Sequence, residues 1–149
     1  MVNASFDGSF AVTNIGAQRR NDMLVNGRAF SVSYVQAGQG GHDPSTNLPL
    51  SVDVTLVNLP SPTTGLIQLQ PGSLTAVDFK STQLTITLGP NVGTGVLSNI
   101  GIYGQIFAVA NPADNQLIGG TFLYAICNLG YSQKTSNSTR TLNLLLHSI

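Results

Sequence analysis

The sequence predicts a mainly β fold, an antiparallel β-sandwich or barrel-like domain with at most one short N-terminal helix. Three observations point there. Short runs alternate apolar with polar residues, most cleanly Leu84, Ile86 and Leu88 against Thr85 and Thr87, the period of a strand with one buried face. Gly, Pro, Asn and Asp punctuate these runs at roughly 8–12-residue spacing, as in sandwiches and barrels. Only one stretch, near the N-terminus, offers a helical pattern. At 149 residues the chain fits a single domain, 1–149, large enough to bury a substantial core.

In chain order, residues 10–13 read as a short strand. Asn14 then offers an N-cap for a short helix over 15–25, ended by Asn26-Gly27, a strong turn pair. Residues 30–35 alternate, with Phe30, Val32 and Tyr34 on one side and Ser31 and Ser33 on the other. Gly38, Gly40 and Gly41 break that pattern, and Pro44 and Pro49 bracket a polar return. Val52, Val54 and Leu56 against Asp53 and Thr55 predict a strand over 51–59, stopped by Pro60 and Pro62. Leu66, Ile67 and Leu69 give a short strand before Pro71-Gly72, and the Leu84–Leu88 alternation gives the next. Residues 100–110 and 117–129 are long and apolar, joined by a hairpin loop over 111–115. The last strand, 139–147, places Leu142, Leu144 and Leu146 on one face. Strands apolar on both faces, such as 100–110, require both faces to be covered. One can pack on the domain's own core and the other on a further subunit.

Only 8% of residues are charged, with no glutamate and a net charge of zero, against about 25% charged in a typical soluble domain. A chain with so little charge has weak protection against association, which favours a component of an assembly over a freely diffusing enzyme. It also gives no electrostatic basis for binding nucleic acid or anionic membranes. No apolar run approaches the roughly 18 residues that span a bilayer. The N-terminus lacks a basic segment followed by an apolar one, so no signal peptide is expected. Synthesis in the cytoplasm is expected.

The titratable inventory leaves little room for catalysis, and neither a catalytic residue, a cofactor nor a metal is expected. Six aspartates, most beside turns, suit the backbone-bonding role of Asp in turns. Cys127 sits in an apolar run, where burial raises a thiol pKa and keeps it inert. His42-Asp43 admits two readings, an acid–base or metal-ligand pair, or a lock on the shape of its loop. A zinc site wants three or four ligands at defined spacing, and His147 is the only other histidine. The spacing of Gly38, Gly40 and Gly41 is not that of a phosphate cradle. Tyr103, Phe107, Phe122 and Tyr124 lie in apolar strands and lack the basic groove of a base-stacking platform. Gly38, Gly40, Gly41, His42, Asp43 and Pro44 therefore form a candidate protein-contact loop.

Three segments carry a resemblance. They are Thr13-Asn14-Ile15-Gly16 leading into a short helix and a strand; the strand that enters Gly40-Gly41-His42-Asp43-Pro44 and returns through Leu48-Pro49-Leu50; and, in the C-terminal half, Asn99-Ile100-Gly101-Ile102-Tyr103, Leu123-Tyr124-Ala125-Ile126 and Lys134-Thr135 before the final strand. In this order the chain resembles the N-terminal attachment domain of bacteriophage tail-collar and tail-fibre proteins. The resemblance implies a virion structural protein, not an enzyme. It would be a tail or baseplate component that attaches or forms part of a tail fibre, in contact with baseplate, tail or fibre subunits. It also implies a homo-oligomer, with a trimer as the expected count. With the chain ending at Ile149, an adaptor or baseplate-edge subunit is expected rather than a receptor-binding fibre. Two further classes stay open on the residues alone: a capsid decoration protein, which would place the chain on the head, and a carbohydrate-binding β-sandwich, which would want an aromatic platform.

Overall fold

A computed structural model describes residues 6–78, 80–108 and 117–147 of the chain. Two sheets pack face to face. One is four-stranded in the order β1-β9-β6-β5, from Gly8–Ser9, Arg140–His147, Ser81–Leu88 and Leu74–Ala76. The other is five-stranded in the order β2-β8-β7-β3-β4, from Ala11–Val12, Leu117–Lys134, Gly95–Phe107, Ala29–Gly38 and Ile67–Gln68. The expected mainly β, sandwich-like fold with one helix, α1 (Asn14–Asn26), is the fold observed.

The alternating leucines build the core between the sheets. Leu84, Ile86 and Leu88 of β6 and Leu142, Leu144 and Leu146 of β9 meet Ile100, Ile102 and Ile106 of β7 and Val35 and Ala37 of β3. Leu84 and Leu144 are a cross-strand pair and both are wholly buried. Fully burying a side chain of this size stabilises by about 1.5–3 kcal/mol, so these pairs hold the two sheets together.

Helix α1 starts one residue earlier than expected. The cap is Thr13, not Asn14: its Oγ1 accepts the Gly16 N–H at 2.9 Å and donates to the Leu123 carbonyl at 2.7 Å. A hydroxyl both accepts and donates, so one side chain caps the helix and ties it to β8. Gly27 ends the helix in the left-handed conformation, φ 63°, as the turn pair implied.

Four other expectations change. A bulge between Val32 and Tyr34 shifts the face of β3. Phe30 and Val32 point to the core, as do Val35 and Ala37, while Tyr34 joins a second cluster on the outer face. Strict alternation would have kept Tyr34 with Phe30; the extra residue of a bulge reverses it. Residues 51–59 form no strand. Asp53 accepts the Thr55 N–H at 3.0 Å and its hydroxyl at 2.6 Å, a local turn that outcompetes a ladder. The alternation there still reports burial, because Val52, Leu56 and Leu59 lie on Tyr103, Leu123 and Ile126 of the five-stranded sheet. The outer face of β7 and β8 is thus covered here by the chain's own loop rather than by another subunit. Strand β7 begins before residue 100 and β8 runs past 129, because polar Asn99, Asn128 and Ser132 take part in the ladder, with Ser98 at a bulge between Leu97 and Asn99. Strand β5 has no counterpart in the sequence reading; every residue in it is exposed. The expected 111–115 hairpin loop lies outside the described residues. Among the described residues, no helix is long and apolar enough to cross a membrane.

Candidate functional site

The candidate loop leaves β3 at the end where Gly38 pairs with Asn99. Gly38 and Gly41 are required by space rather than by φ. The glycines with positive φ are Gly27, Gly72, Gly93, Gly95 and Gly119, so a constraint through left-handed backbone at Gly40 or Gly41 does not hold. A Cβ on Gly41 would instead stand 1.9 Å from the Ser98 carbonyl oxygen, and one on Gly38 2.3 Å from Asn99 Oδ1 and 2.9 Å from the Ser61 oxygen. At Gly40 the nearest atom, the Pro60 oxygen, would be 3.1 Å away. At Gly41 backbone packs on backbone, and at Gly38 the chain packs on the Asn99 side chain and the Ser61 carbonyl, so only glycine leaves room at these two; at Gly40 a small shift of the Pro60 carbonyl would admit a Cβ.

Beyond Gly41 the chain folds back on itself. Leu50 N–H donates to the Gly41 carbonyl and Asp43 N–H to the Leu48 carbonyl, each at 2.8 Å, and Asn47 N–H donates to the Asp43 carbonyl at 2.7 Å. His42 and Pro49 form an isolated antiparallel bridge. Asp43 Oδ1 accepts the Ser45 N–H at 2.8 Å, an Asx turn across Pro44. Asn47 takes φ 60°, a conformation Asn tolerates. Two bonds fasten the returning segment to β8: Tyr131 N–H to the Asn47 carbonyl at 2.9 Å and Asn128 Nδ2 to the Leu50 carbonyl at 3.0 Å.

His42 and Asp43 do not work as a pair. The His42 Nδ1 lies 2.9 Å from Ser98 Oγ, and its ring meets Tyr131 edge-on at 5.3 Å. Asp43 faces Ser45. Ser98 is wholly buried and its oxygen also accepts the Gly41 N–H at 2.9 Å. This Ser–His contact looks at first like a nucleophile and its base. A hydroxyl sealed from solvent and already holding a backbone amide meets no substrate, so the contact locks the loop. Sequence reasoning missed Ser98. The signal was Ser98-Asn99, a polar pair inside the apolar run of β7. Asn99, also wholly buried, donates from Nδ2 to the Pro60 carbonyl at 3.2 Å and so ties the covering loop to the same strand.

The remaining titratable groups lie elsewhere. His147 Nδ1 sits 3.1 Å from Ser81 Oγ, where β6 and β9 pair on the other sheet from Ser98. Burial first, and the Asp7 charge second, push the Cys127 thiol up to about 12. The Arg28 guanidinium holds Asp22 below the usual carboxylate range, and the Thr55 hydroxyl and amide do the same for Asp53. Among the described residues, no three His, Cys, Asp or Glu side chains gather where they could hold a metal ion. Tyr103, Phe122 and Tyr124 are buried, and Tyr103 OH donates to Gln36 Oε1 at 2.8 Å while accepting the Leu59 N–H at 3.2 Å.

The loop turns Ser45, Thr46 and Asn47 to solvent, and apolar groups stand out beside them. Leu48 is 63% exposed and Leu50 43%, with Tyr131 beside them at 42%. A cleft of about 200 Å³ lined by Gly40, Leu50, Leu56 and Pro60 opens next to them. Comparison of the chain with protein-family models, with curated proteins and with solved structures gave no match.

Proposed function

We propose that this chain is a structural subunit of a bacteriophage particle, a tail or baseplate component that attaches or forms part of a tail fibre and acts through protein contacts rather than catalysis. The observation that carries this reading is the loop at 41–50. Its backbone is fixed by its own bonds and by β8, yet it holds Leu48 and Leu50 out to solvent. An exposed leucine on a mobile loop gives little; leucines on a rigid one bind without a further ordering cost. The low charge of the chain suits a surface that other subunits cover. The placement in a phage tail rests on the resemblance of the 13–16, 40–50 and 99–103 segments to tail-collar and tail-fibre proteins.

The test is the protein content of the particles. Mass spectrometry of gradient-purified phage from a lysate that expresses this chain should find it at a fixed ratio to the other structural proteins. Its absence from intact particles, with free protein abundant in the lysate, would overturn the reading.

A further inference from the structure

Asn26-Gly27 is the one asparagine–glycine pair in the chain; every other asparagine is followed by a residue that carries a side chain. Both residues are exposed, where α1 ends. The glycine nitrogen of such a pair can attack the asparagine Cγ and close a ring, and no Cβ on the second residue crowds the closure. At Gly27 a Cβ would meet nothing within 4 Å. The fold asks for glycine there through its φ of 63°, and the reactive pair comes with the cap.

In the folded chain the reacting groups are engaged. Gly27 N–H donates to the Met23 carbonyl, which also accepts the Arg28 N–H at 3.1 Å. A nitrogen whose proton is held this way is a poor nucleophile, because the hydrogen bond favours the protonated form. Asn26 Nδ2, the group that would leave, donates to Asp22 Oδ1, and Asp22 Oδ2 accepts from Arg28 Nη1 at 2.7 Å. Helix ends open locally at little cost in free energy, and opening of this turn releases both groups at once.

We infer that Asn26 is a site of spontaneous deamidation, gated by the last turn of α1, and that its conversion loosens that turn. Once the turn opens and base removes the Gly27 amide proton, the nitrogen attacks Asn26 Cγ. The N–Cγ bond forms, the Cγ–Nδ2 bond breaks, and Nδ2 takes a proton from solvent and leaves as ammonia. Water then opens the cyclic imide at either carbonyl, leaving aspartate or isoaspartate at position 26; water is the only co-reactant. The product cannot rebuild the turn. A carboxylate replaces the Nδ2 donor and faces Asp22 across 4 residues, a like-charge pair that weakens a helix, and both carboxylates compete for Arg28. Isoaspartate also adds a methylene to the main chain, which breaks the spacing of the Gly27 and Arg28 bonds to Met23. This chemistry is independent of the role proposed above for the chain.

The experiment incubates the full chain at mildly alkaline pH, folded and in urea, and follows intact mass, peptide maps and enzymatic methylation of isoaspartate. Residue 26 should convert before any other asparagine, with the mass change of an amide turned into an acid. The denatured chain should convert roughly tenfold faster, since opening a helix end costs about one tenfold step in population. Asp22→Ala, which frees the leaving amide and Arg28, should speed conversion of the folded chain several-fold, and Asn26→Gln should abolish it. Asn26→Asp, which installs the product's charge, should show faster hydrogen exchange at the Gly27 and Arg28 amides. Should Asp22→Ala melt early, the folded and denatured wild type decide between them. Earlier conversion of another asparagine, or a folded chain inert at residue 26 while the denatured chain converts, would overturn the inference. So would equal rates folded and denatured, a rate unmoved by Asp22→Ala in the folded state, or unchanged exchange in Asn26→Asp.

Discussion

Gly41→Ala is the sharpest perturbation of the loop. The added Cβ would lie 1.9 Å from the Ser98 carbonyl oxygen and 2.7 Å from its carbon. Both atoms are backbone of the central strand β7, so the loop must move instead. Moving it breaks the Gly41 N–H bond to Ser98 and the His42 contact with the same hydroxyl, both 2.9 Å. Losing a buried bond costs about 1 kcal/mol, and stranding the buried Ser98 hydroxyl costs about 1–3 more. We expect a loss of roughly 2–4 kcal/mol, or about 5–15 °C in melting temperature for a chain of this size. Calorimetry and denaturant titration measure it. Gly65→Ala, where nothing lies within 4 Å, is the control and should be nearly silent. Gly41→Asn separates the two explanations for the glycine: Asn tolerates positive φ but is bulkier than Ala, so the space argument makes it at least as damaging. Gly41→Ala within about 0.5 kcal/mol of wild type, a range typical of neutral surface changes, would refute the reasoning.

Thr13→Val removes both the helix cap and the bond to Leu123 and should cost about 1–3 kcal/mol, seen as early loss of helical signal in thermal melts. Leu144→Ala opens a cavity between the sheets and should cost about 2–5 kcal/mol in chemical denaturation. Cys127 should resist a thiol reagent at pH 8 in the native protein and react at once in denaturant. Its raised pKa also sets a sign: the neutral thiol is favoured by folding, so its contribution is whole below about pH 9 and falls as pH rises towards 12. The slope is at most about 1.4 kcal/mol per pH unit, and Cys127→Ala should flatten that part of the stability–pH curve.

Much of the fold was legible because burial writes period-2 patterns. Leu84, Ile86 and Leu88, and Leu142, Leu144 and Leu146, point inward as their spacing implies. Legibility ended where a local bond competes with the ladder. The bulge that turns Tyr34 outward leaves no mark in the alternation, and the Asp53 turn gives a strand-like burial pattern without a strand. The candidate loop was visible through its glycines, prolines and His42-Asp43. Its mechanism was not, since the partner that fixes Gly41 and His42 is Ser98, 57 and 56 residues away in sequence. Nor was the covering of β7 and β8 by residues 52–59, because an apolar face does not say which segment will lie on it.

The central claim, that this chain is a tail structural subunit, is tested most directly by its position on the particle. Gold-labelled antibody against the chain, viewed on negatively stained phage, should mark the tail or its baseplate end. Label on the head would point to a capsid decoration protein, and particles without label, with the epitope shown to be accessible on the free protein, would contradict the account.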